Sequence, residues 1–151
     1  MEPMVRDALA LIGCDIEPQP DKASDGAVIC DYGTALLEVA GSEGTIKIDK
    51  LSQLTRNISS YLEKAKGKVK GILVGNPFCN EPIDNRPPKD TQKQLFSKEL
   101  MENAEELSIS VLLSIDLYQI VCEIITGKLG EKDKKSIQEK IFKGKGLVRL
   151  V

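Results

Sequence analysis

The fold turns on the stretch Ser24-Asp25-Gly26-Ala27-Val28-Ile29-Cys30-Asp31-Tyr32-Gly33-Thr34-Ala35-Leu36-Leu37-Glu38-Val39-Ala40-Gly41. Two apolar runs, 27–30 and 35–40, flank the turn-rich centre Asp31-Tyr32-Gly33-Thr34, which is the pattern of a β-hairpin. A turn about Tyr32 and Gly33 makes facing residue numbers add to about 65 or 66, since strands pair residue for residue. Val28 then faces Leu37 or Glu38, and Asp25 faces Ala40 or Gly41, close to Glu38. Side chains alternate along a strand, so Glu38 and Ala40 share a face with Leu36. A carboxylate inside an aliphatic strand is costly unless it is paired or bound to a cation. Two carboxylates converging from adjacent strands suit Mg²⁺, which takes oxygen ligands and keeps several waters. The plainer readings stand beside this one: an Asp before a strand is a common turn residue, and a Glu in a strand also faces solvent at an edge.

Outward from the hairpin, apolar residues at 5, 8, 9 and 12, followed by Gly13, predict a short first helix. The stretch 17–24 is polar and proline-bearing. After Gly41-Ser42-Glu43-Gly44 the period changes, and Leu51, Leu54, Ile58 and Leu62 mark one face of a helix capped by Asp49. A turn carrying Lys64, Lys66, Lys68 and Lys70 leads into the apolar run 71–75, which reads as a buried strand. The loop 76–89 holds four prolines and Arg86 and cannot stay regular for long. Leu95, Phe96, Leu100, Ala104 and Leu107 predict another helix, 109–113 another buried strand, 116–125 and 132–142 two more helices, and 147–151 a last strand or packed tail. Strands joined through helices imply a central, partly parallel sheet with helices on its faces.

The totals narrow the function classes. The 151 residues fit one domain over 1–151, with 41% hydrophobic and 29% charged residues arguing against extended disorder. The chain has no histidine, and its cysteines at 14, 30, 79 and 122 form no CxxC pair, which disfavours zinc sites and histidine-dependent triads. Three of the four lie in apolar runs and are expected as small buried hydrophobes in a reducing compartment. No signal peptide is expected, and the apolar tract 109–126 is broken by Asp116 and Glu123, so a cytoplasmic protein without a membrane span is expected. Net charge is −2, yet eight Lys or Arg between 128 and 149 stand against three acids. This basic C-terminal segment, 128–151, suits either a solvated helix face or phosphate contacts. Residues 41–47, GSEGTIK, lack the spacing of a Walker A loop.

The pattern of a short helix, Ser24-Asp25-Gly26-Ala27-Val28, the run from Ala35 through Leu37-Glu38-Val39-Ala40 to Gly44, and a helix entered by Leu51-Ser52-Gln53-Leu54 resembles the restriction-endonuclease-like, PD-(D/E)xK nuclease superfamily. The likeness extends to Ile72-Leu73-Val74-Gly75-Asn76, to Arg86 and to Leu113-Ser114-Ile115-Asp116-Leu117-Tyr118, and covers roughly 5–126. It implies a three-layer α/β domain with a mixed central sheet of about 4–5 strands flanked by helices. It also implies that Asp25 and Glu38 are metal-binding acids, that the Val39 carbonyl is a further ligand, and that Gln53 is a polar residue near the site. The family's lysine, two residues after the Glu, is replaced by Ala40, leaving Lys47 and Lys50 as the nearest amines in sequence.

The function expected is a nuclease or nuclease-related domain using Mg²⁺ or Mn²⁺ on nucleic acid, DNA in preference to RNA. In it Asp25 and Glu38 hold the metal, Lys47 or Lys50 supplies positive charge, and the basic segment contacts phosphates. The alternative is a catalytically inactive nuclease-fold module for binding or dimerisation. Aliphatic helix faces in excess of what a small sheet covers point to a homodimer.

Overall fold

The apolar runs at 35–40 and 71–75 become the two innermost strands of the protein. A computed structural model describes residues 1–17, 24–64, 67–88 and 92–151; most of the stretch 17–24, together with Lys66 and Lys89, lies outside the described residues. Among the described residues six strands form one sheet in chain order: β1 (Asp15–Glu17), β2 (Ala27–Cys30), β3 (Gly33–Gly41), β4 (Lys70–Asn76), β5 (Ser110–Leu113) and β6 (Gly146–Leu147). β1, β2 and β3 pair antiparallel, whereas β3 through β6 run parallel. The sheet is wider than expected because of its edges β1 and β6, which at three and two residues are too short to leave a hydrophobic pattern.

Helices cover both faces. α1 (Glu2–Leu11), α5 (Ser114–Ile125) and α6 (Glu131–Lys143) bury Val5, Leu9, Leu117, Ile120, Ile137 and Ile141 against Leu37, Val39 and Val74. α2 (Ile48–Lys64), the one-turn α3 (Gln92–Leu95) and α4 (Lys98–Glu106) bury Leu51, Leu54, Leu95, Leu100 and Ala104 against Leu36, Ala40 and Leu73. The chain is thus an α/β protein with one mixed sheet packed by helices. Among the described residues no helix is long and apolar enough to cross a membrane.

Several expectations shift in detail. The hairpin register pairs Ala27 with Leu36 and Cys30 with Gly33, so facing numbers add to 63 and only Asp31 and Tyr32 form the turn. Gly33, at φ +136°, lets the second strand begin two residues earlier than the apolar run suggests. On α2, Leu51 and Leu54 are buried, but Leu62 is 46% exposed because the stripe outruns the sheet beneath it. The helix starts at Ile48, so Asp49 sits inside its first turn rather than at the cap. The helix expected through Leu95 and Leu107 is split. Phe96 bridges to Ile46, and the Ser97 hydroxyl accepts the Leu100 N–H at 3.2 Å to start α4 afresh. Of the cysteines, Cys14 is buried and the other three are half-buried.

The C-terminal segment is held by polar groups. Asp116, fully buried in α5, accepts from Arg149 Nε at 3.1 Å and from the Leu150 N–H at 3.2 Å. Ser110 Oγ donates to the carbonyls of Ile141 and Gly144, and Lys70 Nζ donates to those of Ser108 and Gly144. Carbonyls at the end of α6, which lack partners within the helix, are thereby satisfied.

Gly75 is closely packed on the α2 side. A Cβ there would stand 2.6 Å from both Ile46 Cδ1 and Phe96 Cε1, two side chains at 1% and 0% exposure. Gly75→Ala is expected to cost about 1–3 kcal/mol by overpacking, lowering Tm by several degrees in a thermal melt; an unchanged Tm would show that Ile46 and Phe96 yield freely.

Candidate functional site

Asp25 reaches its place through a bulge. Its N–H bonds the Leu37 carbonyl at 3.0 Å while the Leu37 N–H bonds the Gly26 carbonyl at 2.9 Å, so two residues face one. Gly26, at φ +133°, takes a conformation costly for other residues, and such bulges re-aim side chains. The Asp25 carboxylate is turned along β3, where Oδ2 accepts the Val39 N–H at 2.6 Å. Asp25 therefore lies beside Leu37 and Val39, and the expected position opposite Ala40 or Gly41 is corrected by the tighter turn.

Glu38 is 4% exposed and lies between Leu36 and Ala40 on the α2 face of β3. Among the described residues no hydrogen bond or ion pair reaches its carboxyl. Burial, then the neighbouring Asp25 charge, push its pKa from 4.5 to about 7, with Lys50 acting against the shift and Glu2 adding to it. Asp25 is also raised, by burial first; the Val39 N–H, Arg6 and Lys50 oppose this, and Glu2 reinforces it. Leu37 and Val39 present their backbone groups to the β2 side, as alternation along a strand requires, so the Val39 carbonyl lies on the Asp25 side. Two carboxyls and this carbonyl make an oxygen-only donor set. No group of three or more His, Cys, Asp or Glu converges among the described residues, so an ion there would complete its shell with water.

The other expected residues separate. Lys50, half-buried in the first turns of α2, acts on both acids without a direct ion pair. Lys47 is exposed; it joins Lys50, Asp49, Ser42 and Thr45 around a cavity of about 270 Å³, but its charge does not bear on the acids. Gln53 is half-buried on α2 and makes no hydrogen bond to either acid. Ala40 is 1% exposed within the cluster that holds Ile46, Leu51 and Phe96, so no amine stands where the family places its lysine.

Arg86 is spoken for: it donates to the Asn76 side chain at 2.7 Å and to the carbonyls of Glu81 and Cys79, pinning the proline loop. In the basic segment Lys134, Lys143 and Arg149 are paired with Glu131, Glu139 and Asp116. Lys143 also lies 5.8 Å from the centroid of the Tyr32 ring, at the hairpin turn and thus about 20 Å along the hairpin from Glu38 at roughly 3.3 Å per residue. Lys128, Lys132, Lys135, Lys140 and Lys145 remain exposed.

Two participants escaped the sequence. Glu2 and Arg6, one turn apart on α1, face the acids, and Arg6 Nη1 approaches the Asp25 carbonyl at 3.5 Å. Their i, i+4 spacing was visible; which end of the sheet α1 lies against was not. Comparison of the chain with protein-family models, with curated proteins and with solved structures found no match.

The raised Glu38 pKa fixes the sign of a pH effect. Between pH 4.5 and about 7 the folded chain keeps a proton that the unfolded chain has released, so stability falls as pH rises through this window. The full cost, on the order of 3 kcal/mol at most, applies above it. Glu38→Gln is expected to raise stability at pH 8 in the presence of chelator and to change it little at pH 4, as urea melts at the two pH values would measure; an equal effect at both would refute the assignment.

Proposed function

We propose that the chain is a nuclease-related domain of the restriction-endonuclease-like kind, in which Asp25 and Glu38 hold Mg²⁺ or Mn²⁺ and Lys50 takes over the charge of the missing lysine. The observation that carries this reading is Glu38, a residue 4% exposed inside β3 beside a second carboxyl, to whose own carboxyl no hydrogen bond or ion pair runs among the described residues. Such a group is costly to bury, and a divalent cation relieves both its desolvation and the repulsion from Asp25. The donor set fits a hard cation that keeps several waters. Such an ion supplies Lewis acidity toward a phosphoryl oxygen and acidifies its water. The Val39 N–H orients Asp25, the bulge at Gly26 aims it, and Lys50 offers positive charge to an incoming phosphate. The mixed sheet with helices on both faces agrees with the fold that the resemblance implies.

A second reading, a catalytically inactive module that binds nucleic acid or dimerises, is favoured by Ala40. Its side chain is 1% exposed and belongs to the core cluster that also holds Ile46, Leu51 and Phe96, so the position is given over to core packing.

Mn²⁺ is expected to raise Tm by several degrees at pH 8 and by less at pH 6, where Glu38 is protonated more often; Glu38→Ala should abolish the rise. A wild-type Tm indifferent to Mg²⁺ and Mn²⁺ would remove the metal site. With Mn²⁺, the protein should cut single-stranded or duplex DNA, and Asp25→Ala should be inert. Lys50→Ala should reduce cleavage by about 100- to 1,000-fold, the range typical of one lost charge-stabilising donor. Metal binding without cleavage of any substrate would instead establish the inactive module.

A further inference from the structure

We infer that Cys14 and Cys30 form a redox modification site, at which a peroxide closes a cross-strand disulfide between the segment entering β1 and the end of β2. The pairing of β1 with β2 sets Asp15 opposite Ile29 and Ile16 opposite Val28. One step further along this ladder Cys14 faces Cys30. Alternation puts Cys14, Ile16, Val28 and Cys30 on one face, and all four pack in the cluster under α1. Facing residues of an antiparallel pair have Cβ atoms about 4.5–5.5 Å apart, a small adjustment from the roughly 3.5–4.5 Å that a disulfide spans. All four cysteines are free thiols. Cys79 follows β4 in the proline loop and Cys122 lies on α5, so neither has this facing relation.

The two sulfurs have different roles. Cys14 is 5% exposed, its N–H held by the Leu9 carbonyl at 3.1 Å. Burial, and then the neighbouring Cys30, push its pKa up to about 12. Cys30 is half-buried, and its Sγ accepts the Tyr32 N–H at 3.4 Å. Burial raises its pKa too, with the Asp31 charge adding to the rise, but the N–H groups of Tyr32 and Gly33 and the Cys14 thiol oppose it. Cys30 is therefore the sulfur that ionises and attacks first. Its thiolate displaces hydroxide from hydrogen peroxide: an S–O bond forms, the O–O bond breaks, sulfur loses two electrons, and the hydroxide takes up the thiol's proton as water. The Cys14 thiol then attacks the sulfenic sulfur. The S–S bond forms, the S–O bond breaks, and a second water carries away the remaining proton and oxygen. A dithiol returns two electrons and two protons and restores both thiols.

The bond would enclose residues 15–29, the segment that carries Asp25, and would tie down the short edge strand β1. This inference stands apart from the metal-site reading. The test uses the full chain with Cys79→Ser and Cys122→Ser, so that only the facing pair remains. After hydrogen peroxide treatment at pH 8, alkylation and peptide mapping should find Cys14 linked to Cys30 with loss of two hydrogen atoms and no intermolecular dimer. The link should form more slowly at pH 6.5. Closing a loop of this length should raise Tm by about 5–10 °C, reversibly with dithiothreitol, and Cys30→Ser should lose both the link and the rise. Two alkylatable thiols after treatment, Cys30 driven to sulfinic acid without a link, or intermolecular dimers alone would each overturn the inference.

Discussion

The seven-residue parallel pairing of β3 with β4, from Ala35 opposite Lys70 to Gly41 opposite Asn76, is the constraint on which the other elements depend. Both strands are covered on both faces, so residues 35–40 and 71–75 are buried without exception, and aliphatic side chains fill all but one of the non-glycine positions. A parallel neighbour requires a crossover, and α2 supplies it; the same crossover brings Lys50 over the end of β3. The close approach of Phe96 and Ile46 to Gly75 seats the chain leading into α4. α1 and α5 then close the opposite face over Leu37 and Val39.

Within this aliphatic centre Glu38 is the exception, and its neighbourhood departs from regular strand geometry in a coordinated way. Gly26 permits the bulge, the bulge turns Asp25 along β3, and the Val39 N–H fixes the carboxylate it meets. Local sequence and global fold usually agree throughout a protein, and disagreements concentrate where function demands them. A buried acid with a pKa near neutrality, beside a second acid, is such a disagreement.

Much of the positive charge that looks available in the sequence is spent on structure. Lys70 and Ser110 satisfy the carbonyls at the end of α6, Arg149 holds the tail to Asp116, and Arg86 gathers the proline loop. Lys143 sits at the hairpin turn, away from the acids. Charge counts along a chain therefore overstate what a phosphate would meet, because half-buried cations near helix ends and loop carbonyls find backbone partners first.

Hydrophobic period and turn chemistry alone determined the α/β class, the hairpin, the two central strands, the helices on either side and the unusual placement of Glu38, because these rest on interactions between residues close in the chain. The tertiary structure alone decided the register at Gly33, the bulge at Asp25, the edge β1 and the two-residue extent of β6, the split before Ser97 and the presence of Glu2 and Arg6 at the acids. It also separated Lys50 from Lys47, which lie three residues apart and look equivalent in sequence. The reason is physical: pairing and charge proximity depend on distances across the sheet, and those follow from how the whole core packs rather than from any local pattern.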